Sequence, residues 1–360
     1  MTGKIENIDG SEFRRDLVSG DWILVAAKRA KRPQTKASKR RRLSSSKKNC
    51  PFDDPQKRGT PPPLLWLPHP TKSYKSRWQS HRGSSTESGL KAESSFDNWW
   101  VQIIQNKYPA LEQHKICPTI TSDGPYAKMK GVGFHEVIIT RDHLRRISEM
   151  TSKEVEILIY AYQERWRTLA REECIEYILI FHNQGPGAGA TIFHPHSQLI
   201  ALPIIPPDVA KSLEGSRIYF ERHKKCVHCA MLEWERKKRT RVIYENNYFT
   251  VLAPFASRVS YETRIFPKRH AGNFEDLKAK ERMALADAMI ASLKKIKKAM
   301  NDPDYNFFIH TAPAKDGRSY YHWHIEILPK TSIWAGLELG TGVEVVAVSP
   351  EEAARDLKNS

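Results

Sequence analysis

Apolar and polar positions along the chain alternate in short blocks, and two longer stretches break that rhythm. After Thr151, apolar residues recur at helical spacing from about 152 to 172. A Thr-x-x-Glu pair, Thr151 and Glu154, opens this run in the manner of a capping box. A second run spans about 276 to 300 and sets Leu285, Met289, Leu293, Ile296 and Met300 on one stripe. Both are predicted as helices facing a core. The other apolar blocks are short and rich in β-branched and aromatic residues, which predicts strands at 21–27, 100–105, 135–140, 177–182, 197–205, 241–253, 261–267, 306–312 and 324–329. Strands dominate, with one long helix in each half. The expected fold class is therefore α+β with largely antiparallel sheets. Residues 28–48 and 71–97 carry no apolar periodicity and read as solvated loops or insertions.

A length of 360 residues suggests two domains, each long enough for a real core. Lys and Arg outnumber Asp and Glu by 58 to 41, a net charge of +17 that favours an anionic partner. Much of this excess sits in 28–48, which reads better as a flexible basic loop than as a nucleic-acid arm. No nucleic-acid-binding module follows, which makes nucleic acid an unlikely partner. No apolar run is long enough to span a bilayer, and residues 1–16 lack the apolar core of a signal peptide. The expectation is a protein of the reducing cytoplasm with no membrane partner. Its five cysteines, Cys50, Cys117, Cys174, Cys226 and Cys229, do not resemble a disulfide framework, and those that matter are expected as metal ligands rather than bridges.

Histidine spacing exposes an internal repeat. His143 precedes His194 by 51 residues, and His270 precedes His322 by 52. Each leading histidine closes a strand before the long helix, and each trailing one opens a His-x-His, HPH at 194–196 and HWH at 322–324. His182 and His310 are offset by the same 128 residues that separate His194 from His322. A cysteine turn precedes each set, CPFD at 50–53 and CVHC at 226–229. This predicts two duplicated halves, 1–203 and 204–360. Cys226, Cys229, His270 and His322 form a tetrahedral set suited to zinc. Cys50, Asp53, His143 and His194 can form a second, with Asp53 in place of a cysteine. Use of Asp54 instead, or loss of this metal, stays open.

The densest motif is NQGPGAGATIFHPHSQ, 183–198. Its glycines let backbone N–H groups approach phosphate oxygens. The following His194-x-His196-x-Gln198 places three polar side chains on one face of a strand.

This motif resembles the transferase branch of the histidine-triad superfamily, specifically the galactose-1-phosphate uridylyltransferase family. The resemblance extends to FRRDLVSGDWILVAAKRAKRP at 13–33, CPF at 50–52, NKYPAL at 106–111, YNFFIHTAP, HWHIEILP, and AGLELGTG at 335–342. It implies two histidine-triad-like halves and one or two zinc ions per chain. It also implies His196 as the nucleophile that becomes nucleotidylated and Gln198 as donor to a phosphoryl oxygen. Arg29, Arg32, Asn106, Lys107, Asn183, Gly189, Ala190, Thr191 and Glu338 are implied as substrate contacts. The implied substrates are a nucleotide sugar and a sugar phosphate, in galactose metabolism, and the implied assembly is a homodimer. Uridylyl transfer is favoured. NQGPGAGA and HSQLIALPIIPP also resemble ADP-glucose phosphorylase, which leaves adenylyl transfer open. His324 occupies the repeat position of His196 without the glycine loop and is expected to be structural or sugar-side. A nucleic-acid-binding histidine-triad protein and a purely structural zinc module leave Gln198 and the glycine loop unexplained.

Overall fold

The first described elements are a hairpin of β1 (Glu12–Arg15) and β2 (Trp22–Val25), antiparallel, in which Ile23 and Val25 point inward. The computed structural model describes residues 10–31, 46–70, 98–114, 116–316 and 319–360. Arg32 and the basic run to residue 45, and all of 71–97, lie outside the described residues.

The first half continues with β3 (Leu65–Pro68), β4 (Trp99–Gln105), the small hairpin β5 (Thr121–Asp123) and β6 (Tyr126–Lys128), and β7 (Phe134–Thr140). Helix α1 (Ser152–Leu169) then leads to β8 (Tyr177–Gln184) and β9 (His196–Leu202). The second half opens with α2 (Pro207–His223) and α3 (Val227–Lys238). The second half has β10 (Val242–Glu245), β11 (Phe249–Leu252), β12 (Thr263–Pro267), α4 (Ala279–Ala299), β13 (Tyr305–His310) and β14 (His324–Pro329). Short α5 (Gly336–Thr341), β15 (Val345–Val346) and α6 (Pro350–Lys358) follow.

Ten strands form one sheet in the order β10-β11-β12-β14-β13-β8-β9-β7-β4-β3, antiparallel throughout. Read from each edge inward, both halves give the same order, with the last strand in sequence lying fourth and the one before it lying innermost. Each long helix connects the third strand to the innermost one. The protein is thus an α+β fold of two duplicated halves, joined where β8 pairs with β13. A second sheet, β1-β2-β15, ties residues near the two ends together, with Leu24 paired to Val345.

Helices α1 and α4 pack together on one face. Leu158, Tyr162 and Trp166 of α1 and Leu285, Met289 and Leu293 of α4 share a core with Ile180, Leu199, Ile309 and Ile325 of the sheet. The capping box of α1 is present: the Glu154 N–H donates to Thr151 Oγ1 at 3.3 Å and the Thr151 N–H donates to Glu154 Oε2 at 2.7 Å. On the opposite face α2 covers Tyr177 and Leu179 of β8. The Cys50–Phe52 turn covers Val137 and Ile139 of β7. Between these covers runs β9, with His196 and Gln198 directed to that face.

Three expectations need correction. Helices α2 and α3 exist although only one long helix per half was expected. They bury few apolar side chains, Val209 and Leu213 in one and Val227 and Leu232 in the other, so their stripes are thin. The long helices are also shorter than expected. α1 stops at Leu169, where its apolar stripe ends, and α4 begins at Ala279, after a separate buried turn at Phe274–Asp276. Lastly, Cys117 and Cys174 form a disulfide, so two of the five cysteines are a bridge. Cys50, Cys226 and Cys229 are free. Among the described residues no helix is long and apolar enough to cross a membrane.

Candidate active site

Strand β9 owes its chemistry to alternation. Ser197 and Leu199 turn toward the helices, where the Ser197 and Tyr162 hydroxyls lie 2.6 Å apart, while His196 and Gln198 face the other way. His196 is buried, with the Phe52 ring 5.0 Å away centre to centre. Its Nδ1 lies 2.8 Å from the carbonyl oxygen of His194. A carbonyl only accepts, so Nδ1 carries the proton and Nε2 keeps its lone pair. Burial also pushes the His196 pKa down, with the hydrogen bond to His194 opposing it, and the neutral ring is favoured. Gln198 Oε1 sits 2.8 Å from His135 Nε2 on the neighbouring strand.

The glycine-rich turn after β8 is fixed from the second half. Asp304 Oδ2 accepts the Gly187 N–H at 2.6 Å, and Asn306 Nδ2 donates to Asn183 Oδ1 at 2.7 Å and to the Ala188 carbonyl at 2.9 Å. Gly185 has φ +85°, and a Cβ there would lie 1.9 Å from Asp304 Oδ1. Gly189 has φ +88° and closes the turn. Ala190 donates its N–H to the Gly185 carbonyl at 3.1 Å, and Thr191 is exposed beyond it.

Asn106 also reaches this region, its Nδ2 lying 3.2 Å from His135 Nε2. Lys107 is exposed, with its ammonium 5.8 Å from the Tyr108 ring centre. Arg29 and Glu338 are placed elsewhere. Arg29 follows β2 and Glu338 precedes β15, so both hang from the three-stranded sheet, and hydrogen bonds from the Glu338 and Ala335 backbone, with a smaller effect of the Arg29 charge, lower the Glu338 pKa.

Among the described residues, two groups of four can hold a metal. Cys226, Cys229, His270 and His322 bring their ligand atoms within 4.8 Å of one another. His270 Nε2 donates to the Ser319 carbonyl at 2.7 Å and His322 Nε2 to the Pro267 carbonyl at 3.0 Å. Both Nδ1 lone pairs therefore face the thiols, at 3.4 and 3.5 Å from Cys229 Sγ. Sulfur and nitrogen ligands of one tetrahedral ion stand roughly 3.5 Å apart when the bonds are about 2.3 and 2.0 Å. The donor set, its spacing and its outer hydrogen bonds fit such an ion.

Cys50, Asp53, His143 and His194 converge in the same way. His194 Nε2 donates to the Thr140 carbonyl at 2.6 Å, and its Nδ1 lies 3.5 Å from Cys50 Sγ. Asp53 Oδ2 is 2.5 Å from His143 Nδ1 and 3.9 Å from His194 Nδ1. Asp54 turns away toward Lys57 and Arg141, at 3.5 and 3.8 Å. These two groups occupy equivalent places in the repeat.

Residues 3–206, which hold the first group and the whole His-x-His-x-Gln motif, match the family described as galactose-1-phosphate uridyl transferase, N-terminal domain. The chain belongs to the galactose-1-phosphate uridylyltransferase family. Residues 235–333 match the HIT domain, in agreement with the duplicated fold. The family member is similar to ADP-glucose phosphorylase of Arabidopsis thaliana, at 33% identity over 360 residues that cover 98% of this chain and 94% of that protein. It is also similar to galactose-1-phosphate uridylyltransferase of Thermotoga maritima, at 27% identity over 359 residues that cover 97% and 98%. A crystal structure of the Arabidopsis ADP-glucose phosphorylase with bound ADP-glucose aligns with a TM-score of 0.78 and 31% identity, covering 98% of this chain and 99% of that one. The chain is an enzyme of this nucleotidyltransferase family.

The second half of this family member repeats the strand with different chemistry. His324 Nδ1 lies 3.1 Å from the His322 carbonyl, as His196 does from His194, but Glu326 stands where Gln198 stands in β9. Glu326 is buried and lies 3.1 Å from Arg264 Nε, 3.4 Å from His324 Nε2 and 3.5 Å from His310 Nε2. Burial would raise its pKa, but Arg264 and His310 outweigh it and hold the carboxylate well below its usual range. Burial lowers the His324 pKa to about 3. Sequence reading missed His135, Asp304 and Asn306 as site residues. A signal was present for the last two, which share one face at the start of a strand.

Proposed function

We propose that the enzyme transfers a nucleotidyl group from a nucleotide sugar to a phosphate acceptor through a covalent intermediate on His196. The observation that carries this is the 2.8 Å contact of His196 Nδ1 with the His194 carbonyl. It leaves Nε2 unprotonated, on the strand that also carries Gln198 and that follows the glycine-rich turn in the chain. Nε2 attacks the α-phosphorus and an N–P bond forms. The bond from that phosphorus to the bridging oxygen breaks, and its electron pair leaves on hexose 1-phosphate. A phosphate oxygen of the acceptor then attacks the same phosphorus, and the N–P bond breaks to return neutral His196.

Gln198 donates its amide N–H to a non-bridging oxygen, where negative charge accumulates. A neutral amide supplies no base for activating water, which favours transfer over hydrolysis. Asn183, Gly189, Ala190 and Thr191 form the approach to the phosphates, and Asn106 and Lys107 the nucleoside side. The resemblance assigns positive charge to Arg29 and Arg32 and a sugar contact to Glu338, although Arg29 and Glu338 stand by the three-stranded sheet and not beside His196. Both four-residue groups would hold zinc, which would pin the segments of His194 and His322 just ahead of β9 and β14. The two halves divide after residue 203, and the chain works as a homodimer.

The higher identity to an ADP-glucose phosphorylase favours adenylyl transfer, with inorganic phosphate as acceptor. Uridylyl transfer between UDP-glucose and hexose 1-phosphate is the second reading, supported by full-length similarity to the Thermotoga enzyme. Incubation with ADP-glucose and UDP-glucose separately, followed by intact mass, tests both. An adenylyl adduct supports the first reading and a uridylyl adduct the second. No adduct from either sugar overturns the covalent mechanism.

A further inference from the structure

We infer that His135 is a positioning residue that sets which way round the Gln198 amide points and links that amide to the segment starting at Asn106. The inference rests on the reading of Gln198 as phosphoryl donor. His135 is on β7 and Gln198 on β9, where Val137 pairs with Gln198 and His135 with Ile200. His135 and Gln198 are thus diagonal neighbours on one face, within reach of two long side chains.

The proton on His135 is fixed by its surroundings. Its Nδ1 lies 3.1 Å from the backbone nitrogen of Ala110. A backbone N–H only donates, so Nδ1 holds the lone pair and the neutral ring carries its proton on Nε2. That Nε2–H donates to Gln198 Oε1 at 2.8 Å. With its oxygen engaged, the Gln198 amide must present its NH2 group to the open site, which is the orientation that stabilises a phosphoryl oxygen. Asn106 Nδ2, 3.2 Å from His135 Nε2, is a packing contact, since both atoms are donors and Asn106 Oδ1 already accepts the Tyr108 N–H at 2.9 Å. The Asn106 N–H donates to the His135 carbonyl at 3.0 Å. One residue therefore holds the phosphoryl donor with one ring nitrogen and residues 106–110 with the other and with its backbone.

The two nitrogens can be separated by substitution. Gln at 135 places an amide near the position of Nε2 and keeps a donor for Gln198, but it loses the acceptor for Ala110. Asn at 135 places an oxygen near Nδ1 and keeps that acceptor, but it loses the donor. In steady-state transfer from the nucleotide sugar that forms the adduct, His135→Asn should lower kcat about tenfold with KM held, the scale of one lost neutral hydrogen bond. His135→Gln should raise KM while recovering most of kcat. His135→Ala should change both, and all three should melt close to the parent. Equal loss in the Asn and Gln variants, or loss that tracks melting temperature, overturns the positioning role. 15N NMR of the ligand-free chain supplies an arm independent of activity: a bare Nδ1 and protonated Nε2 are expected, and the opposite tautomer overturns the inference. Absence of any adduct in the unmodified chain would refute the covalent reading, while the NMR result still decides the orientation of Gln198.

Discussion

Replacing Gln198 by Glu tests the asymmetry between the two halves directly, because it writes the second-half residue into the first. The change conserves shape, and His135 Nε2 can donate to a carboxylate as it does to Oε1 of the amide at 2.8 Å. Folding should therefore be little affected. The site, however, would lose an N–H donor and gain a negative charge facing a phosphoryl group. Two unit charges about 4 Å apart at an effective dielectric near 20 repel by about 4 kcal/mol, on the order of a 10³-fold loss of rate. Gln198→Ala removes only the donor and should cost about 10²–10³ in the rate of adduct formation. The assay is single-turnover nucleotidylation followed by intact mass, with melting temperature as control. Gln198→Glu should be at least as slow as Gln198→Ala and should melt like the parent. A Glu variant within tenfold of the parent would refute both the role of Gln198 and the proposal that Glu326 keeps His324 from taking the nucleotide. In the parent chain Glu326 is held ionised by Arg264 and His310, so a phosphate meets a fixed negative charge there.

Three further outcomes are expected. His196→Gly should abolish adduct formation with metal content and melting nearly unchanged, whereas His194→Ala should lower both stability and activity; peptide mapping that places the adduct on His324 would refute the assignment. Metal analysis should find about two zinc equivalents per chain, the number of four-residue groups with fitting ligands; Cys226→Ser should remove one and Asp53→Ala the other, each with a lower melting temperature. Acid should weaken the start of α1. Burial alone would raise the Glu154 pKa, but Arg145, the Thr151 backbone N–H and His69 outweigh it and bring it to about 2. A carboxyl held below its unfolded value stabilises the fold above that value and loses the contribution as pH falls from about 4.5 through about 2. Glu154→Gln should flatten that part of the pH–stability curve measured by denaturant unfolding, and an unchanged curve would show that the contribution lies elsewhere.

What could be read from the residues was whatever repeats or alternates. Thr151 and Glu154 announce α1 because a cap is a local geometry with a fixed spacing. His196 and Gln198 announce β9 because a strand has period two, although His194, expected on the same strand face, lies just ahead of the strand; the matched spacing of His143–His194 and His270–His322 announces the duplication. Helices α2 and α3 stayed hidden because Val209, Leu213 and Leu232 are too few to outline a stripe in charge-rich sequence. The Cys117–Cys174 bridge spans 57 residues and joins segments on either side of α1, with no local spacing to mark it. The choice between Asp53 and Asp54 turns on one backbone conformation, φ +52° at Asp54, which sends adjacent carboxylates in different directions. His135 is the most telling case. In sequence it is the first residue of an apolar strand, 63 positions from Gln198, and nothing local separates it from any polar strand end. Only the register Val137 with Gln198 makes the two diagonal neighbours, and only the Ala110 N–H fixes its proton. Motifs name the groups that can react. Cross-strand register decides which groups orient them, and it depends on how distant strands align, which no short motif encodes.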